Sequence, residues 1–312
     1  MESPLVYLVV LNWNGLEDTI ACLESCRAIS YPRLRVLVVD NGSVDGSQAA
    51  IRERFPDVEL IETGRNLGFA GGNNVGIRRA LEQGADYVLL LNNDTLVDRG
   101  FVDALVRTAR SDPAIGMLCS KIYRVDPPDV LWYAGGYMIE WLGWGRHRGD
   151  GVRDVGQFET LEEINRPTGC SLMVTRALCE RVGLLGEEYF LYAEDLDWGL
   201  RARRAGFKVV YDPGSRVWHK VSRSTSGSRS GVVLYYYVRN LMLCLDRNRP
   251  LPIPLRPLRY LAVLVDACLA LVALRLPKRS GADYIWRGVR DYFGGRFGQM
   301  PEAPPKQSLD RN

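Results

Sequence analysis

Val6-Tyr7-Leu8-Val9-Val10-Leu11, followed by Asn12-Trp13-Asn14, decides the fold. Six apolar or aromatic residues run without interruption and then give way to asparagines. An unbroken, β-branched run of this length reads as a strand covered on both faces, the habit of a parallel sheet. Working outward, residues 35–39, 58–61 and 87–91 repeat the pattern, and residues 16–25, 47–54 and 73–83 between them carry helical spacing. Strand and helix in alternation predict a doubly wound, Rossmann-like α/β fold, a mostly parallel sheet flanked by helices.

Ligands of such sheets bind beyond the carboxyl ends of the strands. Every one of those ends is polar here: Asn12 and Asn14, then Asp40-Asn41-Gly42-Ser43, then Arg65-Asn66, then Asn92-Asn93-Asp94. Chains must turn, so one polar end means little, but four with shared Asn/Asp chemistry on one edge predict a site. Further along, helices are expected over 101–110, 176–182 and 193–205. Strands are expected over 115–122, 168–174 and 208–211, the last stopped by a turn at Asp212-Pro213-Gly214. Residues 127–151 read as loops with short strands, 222–231 as a mobile Ser/Gly/Arg-rich link, the stretch to 297 as helical and basic, and the residues from 298 as disordered. The chain then divides into 1–105 and 106–226, two halves of one catalytic domain, an extension over 227–297 and a tail over 298–312.

Charge is unevenly spread. From Arg216 onward there are 17 Lys/Arg against 6 Asp/Glu, a net +11, whereas the rest of the chain carries a net −8. An acidic body with a basic tail points the tail at something anionic; nucleic acid fits the acidic body and the strand-end carboxylates poorly. Seven cysteines without a CxxC pair suit neither a disulfide framework nor zinc, and Cys22 and Cys26 fall on one helical face. A reduced, cytoplasmic protein is expected, and the first residues read as a strand rather than a signal peptide.

Several residues carry chemistry. Asp40, ending a strand, can accept a hydrogen bond from the imide N–H of a uracil or thymine ring, or can simply cap the next helix. The small residues of Gly68-Phe69-Ala70-Gly71-Gly72-Asn73-Asn74 let backbone N–H groups approach phosphate or sugar oxygens at a helix start. A dinucleotide fingerprint would follow the first strand with different spacing, so a dehydrogenase is excluded. Glu194-Asp195 is a carboxylate pair able to take a proton from an attacking hydroxyl, or a set of first-turn acids offsetting a helix dipole. No Ser/His/Asp or Cys/His nucleophile arrangement is visible.

VVLNWNG, VVDNGSVDGS, NLGFAGGNNVG, LLNNDT, FLYAEDLDWGLRARRAGF and VWHKVSRS, in that order, resemble the motifs of family 2 glycosyltransferases, above all the bacterial rhamnosyltransferase-like branch. The likeness covers residues 5–226. It implies a GT-A fold, a nucleotide diphosphate sugar donor (dTDP- or UDP-linked), a divalent cation (Mg²⁺ or Mn²⁺), inversion at the anomeric carbon, and a glycan or lipid-linked acceptor. By the same likeness Asn12, Asn14, Asp40, Asn41, Arg65, Asn66, Gly71, Asn73 and Asn93 hold the nucleotide sugar, and Asp195 is the base. Gly169, Cys170 and Glu194 meet sugar or acceptor. Asp94, the last residue of a D-x-D motif whose first Asp is replaced by Asn92, ligates the metal with His219. The Gln-x-x-Arg-Trp motif of processive relatives is absent, so addition of single sugars is expected. A sugar nucleotidyltransferase would need an N-terminal triphosphate loop that LNWNGLEDT lacks. The remaining rival is a silent nucleotide- or glycan-binding protein on the same fold.

Residues 260–274 are the most apolar stretch. It is shorter than the roughly 20 residues of a spanning helix and carries Asp266. Two readings stay open: a core helix, or a helix at the membrane interface flanked by Arg256, Arg259, Arg275, Lys278 and Arg279.

Overall fold

A computed structural model describes residues 2–220, 230–273 and 278–301. In chain order the first half comprises β1 (Val6–Asn12), α1 (Leu16–Cys26), β2 (Leu34–Asp40), α2 (Ser47–Arg54), β3 (Glu59–Glu62), α3 (Gly68–Glu82), β4 (Tyr87–Asn92), β5 (Thr95–Val97) and α4 (Phe101–Ser111). There follow β6 (Ile115–Arg124), β7 (Leu131–Tyr133), β8 (Gly136–Ile139), β9 (Trp144–His147), β10 (Glu162–Glu163), β11 (Ser171–Thr175) and α5 (Arg176–Val182). The last elements are α6 (Glu194–Arg204), β12 (Lys208–His219), α7 (Ser230–Asn248), α8 (Arg256–Ala273) and α9 (Lys278–Phe293).

The main sheet runs β10-β12-β6-β11-β4-β1-β2-β3. β4, β1, β2 and β3 are parallel neighbours, and β12 is parallel to β6. Antiparallel β11 joins the two groups by pairing with β4 on one side and β6 on the other. Val6, Leu8, Val9 and Val10 of β1 are wholly buried, as an unbroken apolar run between two helical layers requires. Gly72 and Gly76 of α3 explain the closeness of that layer: a Cβ on either would collide with Leu11 or Val9 of β1. The glycine-rich segment therefore lies inside the helix and serves its packing, not only the turn before it.

β12 corrects one expectation. Asp212-Pro213-Gly214 does not end the strand; it forms an irregularity within a continuous one, between Asp212 paired to Ser120 and Arg216 paired to Lys121. Asp212 satisfies the break locally, accepting from Gly214 N–H (2.9 Å) and Thr108 Oγ1 (2.7 Å). A proline cannot donate to a ladder, so a bulge is where a strand tolerates one. The strand then carries on far enough to pair His219 with Thr95 of β5.

Behind the sheet, α7 packs on α6 and α9 in a second apolar cluster that includes Leu196, Leu200, Leu234, Val238, Leu241 and Leu245. Each such side chain contributes about 1.5–3 kcal/mol by burial, so the extension is bonded firmly to the catalytic half. The expected tail boundary at 298 also moves. Gly298 N–H donates to the Glu188 carbonyl (2.7 Å) and Met300 N–H to Tyr236 Oη (2.7 Å); residues 302–312, like 221–229, lie outside the described residues. Residues 260–274 answer the core-helix reading on one face only: Val263 and Ala267 are buried in the second cluster, with Leu264 and Leu271 packed against it. α8 fully buries only Arg259, Val263 and Ala267, while Leu258, Leu261, Val265, Leu269 and Val272 face outward. Among the described residues no helix is long and apolar enough to cross a membrane.

Candidate active site

The parallel register sets the strand ends level, Asn12 beside Asp40 and Leu11 beside Asn92. Asn12 is the hub. Its amide donates to Asp40 Oδ2 (2.8 Å) and Ser43 Oγ (3.1 Å), and its carbonyl accepts from Thr19 Oγ1 (2.8 Å), Gly15 N–H (3.2 Å) and Asn93 Nδ2 (3.3 Å). Asp40 is fully buried and also accepts from Ser43 N–H (2.9 Å) and Gln48 Nε2 (2.8 Å). Three of a carboxylate's roughly four acceptor positions are thus taken. Asn14, left-handed at φ 51°, donates its N–H to Ser43 Oγ and accepts from Val44 N–H. Asn41 reaches the next loop, donating to Asn66 Oδ1 (3.1 Å) and the Gly68 carbonyl (3.0 Å). Arg65 stands exposed on the rim of this web. Gly71 and Asn73, by contrast, are buried in α3, where Asn73 bonds the Phe69 carbonyl (2.9 Å); they belong to the helix's own packing.

The antiparallel contact of β5 with β12 brings Asp94 and His219 together, Oδ1 to Nε2 at 3.0 Å. Burial disfavours the imidazolium, but the Cys170 sulfur and the Asp94 carboxylate more than offset it and push the His219 pKa up to about 10. Burial raises the Cys170 thiol itself, so Asp94 is the charge that counts at neutral pH. An imidazolium bonded to a carboxylate is a neutral pair, and His219 Nδ1 is buried without a partner; His219 gives up its proton when it ligates a cation. That donor set fits a Mg²⁺ or Mn²⁺ ion that arrives with a diphosphate and takes its remaining ligands from phosphate and water. It does not fit an all-protein cage: no cluster of three or more His, Cys, Asp or Glu is placed to hold an ion among the described residues.

Glu194 and Asp195 open α6, and their surroundings differ. Glu194 is buried and its Oε2 has no partner; burial, then the adjacent Asp195 charge, hold its pKa well above the usual carboxylate range. Burial also raises Asp195, opposed by backbone N–H donors from Gly169 (2.9 Å to Oδ2) and Leu196 (2.7 Å to Oδ1) and by the charge of Arg166. Burial pushes both carboxyls up, but only Asp195 receives backbone N–H donors, an asymmetry of the kind that separates acid from base in paired sites. Gly169-Cys170 links the two centres, because the Cys170 carbonyl accepts from Asn92 N–H (2.9 Å). Asp197 is removed from the chemistry by Arg201 (2.7 Å), Asn248 (2.7 Å) and Tyr189 (3.0 Å).

Sequence reasoning missed four residues. Arg166 Nη1 is buried and unpartnered; its place before Pro167 gives no signal. Of the five orphaned buried side-chain atoms among the described residues, three belong to Glu194, His219 and Arg166, so unmet polar valence concentrates here, as in a site awaiting a ligand. His147 joins through Trp132, whose ring lies 4.7 Å from both His147 and His219; burial, then Arg166 and His219, lower its pKa to about 3. The others are Arg239 and Asn240 of α7. Phe190, Tyr192 and Ala193 just before Glu194 all have positive φ (63°, 66°, 71°), costly for side chains with a Cβ. Asn240 holds that backbone by donating to the carbonyls of Tyr189 (2.8 Å), Leu191 (2.7 Å) and Tyr192 (2.9 Å), and Arg239 adds a bond to Tyr189 (3.1 Å). Two polar residues amid the apolar 234–245 run were the available clue.

A nucleotide-scale web at the strand ends, a carboxylate–imidazole pair and a buried acid beside a solvated one are the features of a sugar-transferring GT-A enzyme. The sequence profile of glycosyl transferase family 2 matches residues 7–183, and the chain belongs to that family. It is 31% identical over 232 residues to the N-acetylglucosaminyl-diphospho-decaprenol L-rhamnosyltransferase of Mycobacterium tuberculosis, covering 68% of this chain and 75% of that one. It is 26% identical over 265 residues to a dTDP-rhamnosyl transferase of Shigella flexneri, covering 80% and 83%. Among solved structures, a mannosyltransferase from Pyrobaculum calidifontis in complex with GDP-Man and Mn²⁺ shares the fold, with a TM-score of 0.60 at 20% identity over 95% of this chain and 89% of that one.

Proposed function

We propose that this chain is an inverting, metal-assisted glycosyltransferase that moves a single sugar, rhamnose, from a nucleotide diphosphate (dTDP first, UDP second) to a hydroxyl of a lipid-linked glycan. The observation that carries it is the asymmetric carboxyl pair at the start of α6, Glu194 buried with Oε2 unpartnered and Asp195 accepting from two backbone N–H groups. The rhamnosyltransferase relatives support the choice of sugar, and the decaprenol-linked substrate named for one of them supports the choice of acceptor.

Asp195 takes the proton of the acceptor hydroxyl as that oxygen attacks the anomeric carbon. The new carbon–oxygen bond forms while the bond to the diphosphate breaks on the opposite side, so configuration inverts and the nucleoside diphosphate departs with the electron pair. Asp94 and His219 would hold the divalent cation, which when bound offsets the charge of the departing diphosphate. The strand-end web of Asn12, Asn14, Asp40, Asn41, Asn66 and Asn93, with Arg65 on its rim, receives the nucleotide. Arg166 and Gly169-Cys170 border the sugar and acceptor. A lipid-linked acceptor implies contact of the extension with the cytoplasmic face of a membrane.

Transfer from dTDP-rhamnose to a lipid-linked N-acetylglucosamine diphosphate, followed by mass spectrometry of the product, tests the reading. A rhamnosylated product with an inverted linkage is expected. Binding of dTDP-rhamnose without transfer to any acceptor would leave a silent binding protein.

A further inference from the structure

α8 is amphipathic in the opposite sense to an ordinary surface helix. Arg259 and Asp266, within the helix, face the protein. Arg259 is fully buried and donates to the carbonyls of Trp141 (2.9 Å) and Arg249 (2.6 Å) and to Asp246 (2.9 Å), and Asp266 accepts from Tyr237. Its outer row is Leu258, Leu261, Val265, Leu269 and Val272, recurring every three or four residues and each more than half exposed. On α9, Trp286 and Phe293 are 65% exposed, and at the β8–β9 hairpin that Arg259 grips, Trp141 and Trp144 are 50% and 45% exposed.

A continuous exposed apolar surface on a folded chain marks a contact, and the charge around this one says with what. From Arg249 to Met300 the sequence has nine Lys/Arg and three Asp/Glu, with Arg249, Arg259, Arg290 and Arg296 paired to Glu140, Asp246 and Asp291. Asp266 is bonded to Tyr237, and Asp291 to Tyr235 and Arg296. Arg256 and Arg287 have no carboxylate partner among the described residues. Apolar side chains below the headgroups, tryptophan at the boundary and arginine toward lipid phosphates are how a helix lies in an anionic bilayer surface. A second copy of the same patch fits less well, because its rim of like charge would repel itself.

We propose that the outer face of α8, with Trp286, Phe293 and the Trp141–Trp144 hairpin tip, rests on an anionic membrane surface, so that a lipid-linked acceptor reaches the site from the bilayer along the hairpin. This rests on the transferase reading for the identity of the acceptor, but not for the contact itself. The hairpin supplies the route, since β9 starts at Trp144 and ends at His147, whose ring meets the Trp132 that also meets His219.

The full chain should be sedimented with phosphatidylcholine vesicles, with and without phosphatidylglycerol, beside the double variant Leu261→Glu/Val265→Glu and the variant Arg256→Gln/Arg287→Gln. Both face residues are exposed, so the fold tolerates the change, and circular dichroism checks it. Unaltered protein is expected to pellet with the anionic vesicles, the face variant to lose about tenfold or more of that binding, and the arginine variant to lose the preference for anionic lipid. Protein left in the supernatant at low salt, or a face variant that pellets as well as the original, overturns the proposal. So does a concentration-dependent dimer that the face variant abolishes while vesicle binding is absent. Transfer to a soluble acceptor analogue separates the two readings: the face variant should retain it, and vesicle binding without any transfer would sink the transferase reading alone.

Discussion

At the scale of the residue, the contrast between Glu194 and Asp195 carries the most testable content. If Asp195 is the base, Asp195→Asn should lower turnover about 10²–10⁴-fold while calorimetry finds dTDP bound as before; near-native transfer would mean that the proton goes elsewhere. Glu194 predicts a different signature. Its folded pKa lies above its unfolded value, so the folded chain takes up a proton that the unfolded chain has lost, and stability falls as pH rises through that interval. Glu194→Gln keeps the shape and removes the titration, so its melting temperature should gain on the original protein as pH rises above the ordinary carboxylate range. A constant difference across that rise would show that Glu194 is ionised in the fold. For the cation, Asp94→Ala should abolish the strengthening of dTDP binding by Mg²⁺ or Mn²⁺ and His219→Ala should weaken it, about 10–100-fold in metal affinity; equal affinity in EDTA would remove the metal from the mechanism.

At the scale of the element, what was local could be read in advance. Ser47–Arg54 and Arg176–Val182 are helices with the expected ends, and the strand-end asparagines bond one another because each follows directly from a strand whose pattern is plain. β12 was misjudged because Asp-Pro-Gly is a turn by its own chemistry; only pairing with β6 on one side and β5 on the other keeps the chain extended through it. The Asn240 clamp was illegible for a related reason: it acts on carbonyls up to 51 residues away, and nothing near Asn240 announces them. Asn240→Ala should lower kcat about 10–100-fold through misplacement of Asp195, leaving KM for the donor unchanged. Met242→Ala, a comparable loss of burial on the same helix at about 2–5 kcal/mol, should melt earlier yet keep its turnover. Equal kcat in the two variants would reduce Asn240 to a packing residue.

At the scale of the whole molecule, the extension is not an appendage. Sequence charge set it apart as a basic tail, and that asymmetry is real, but periodicity could not reveal which face of α8 turns outward, because an apolar stripe looks alike whether it meets a core or a bilayer. Removing everything after Asn248 strips α8 and α9 from α7 and leaves Tyr235 and Arg239 without Asp291 and Gly298. The truncated protein should therefore melt at least several degrees earlier or fail to stay in solution; a stable, active truncation would show that α8 and α9 are dispensable to the catalytic half. The same architecture has a consequence for timing. The turn ahead of Glu194 and Asp195 is fixed by a helix that the ribosome makes later, and that helix is in turn packed by α9, made later still. A nascent chain therefore has its strand-end web before Glu194 and Asp195 are held in place. The strand-end web can form while the chain is still attached to the ribosome, but the turn that carries the two carboxyls is held only once α7 and α9 have followed.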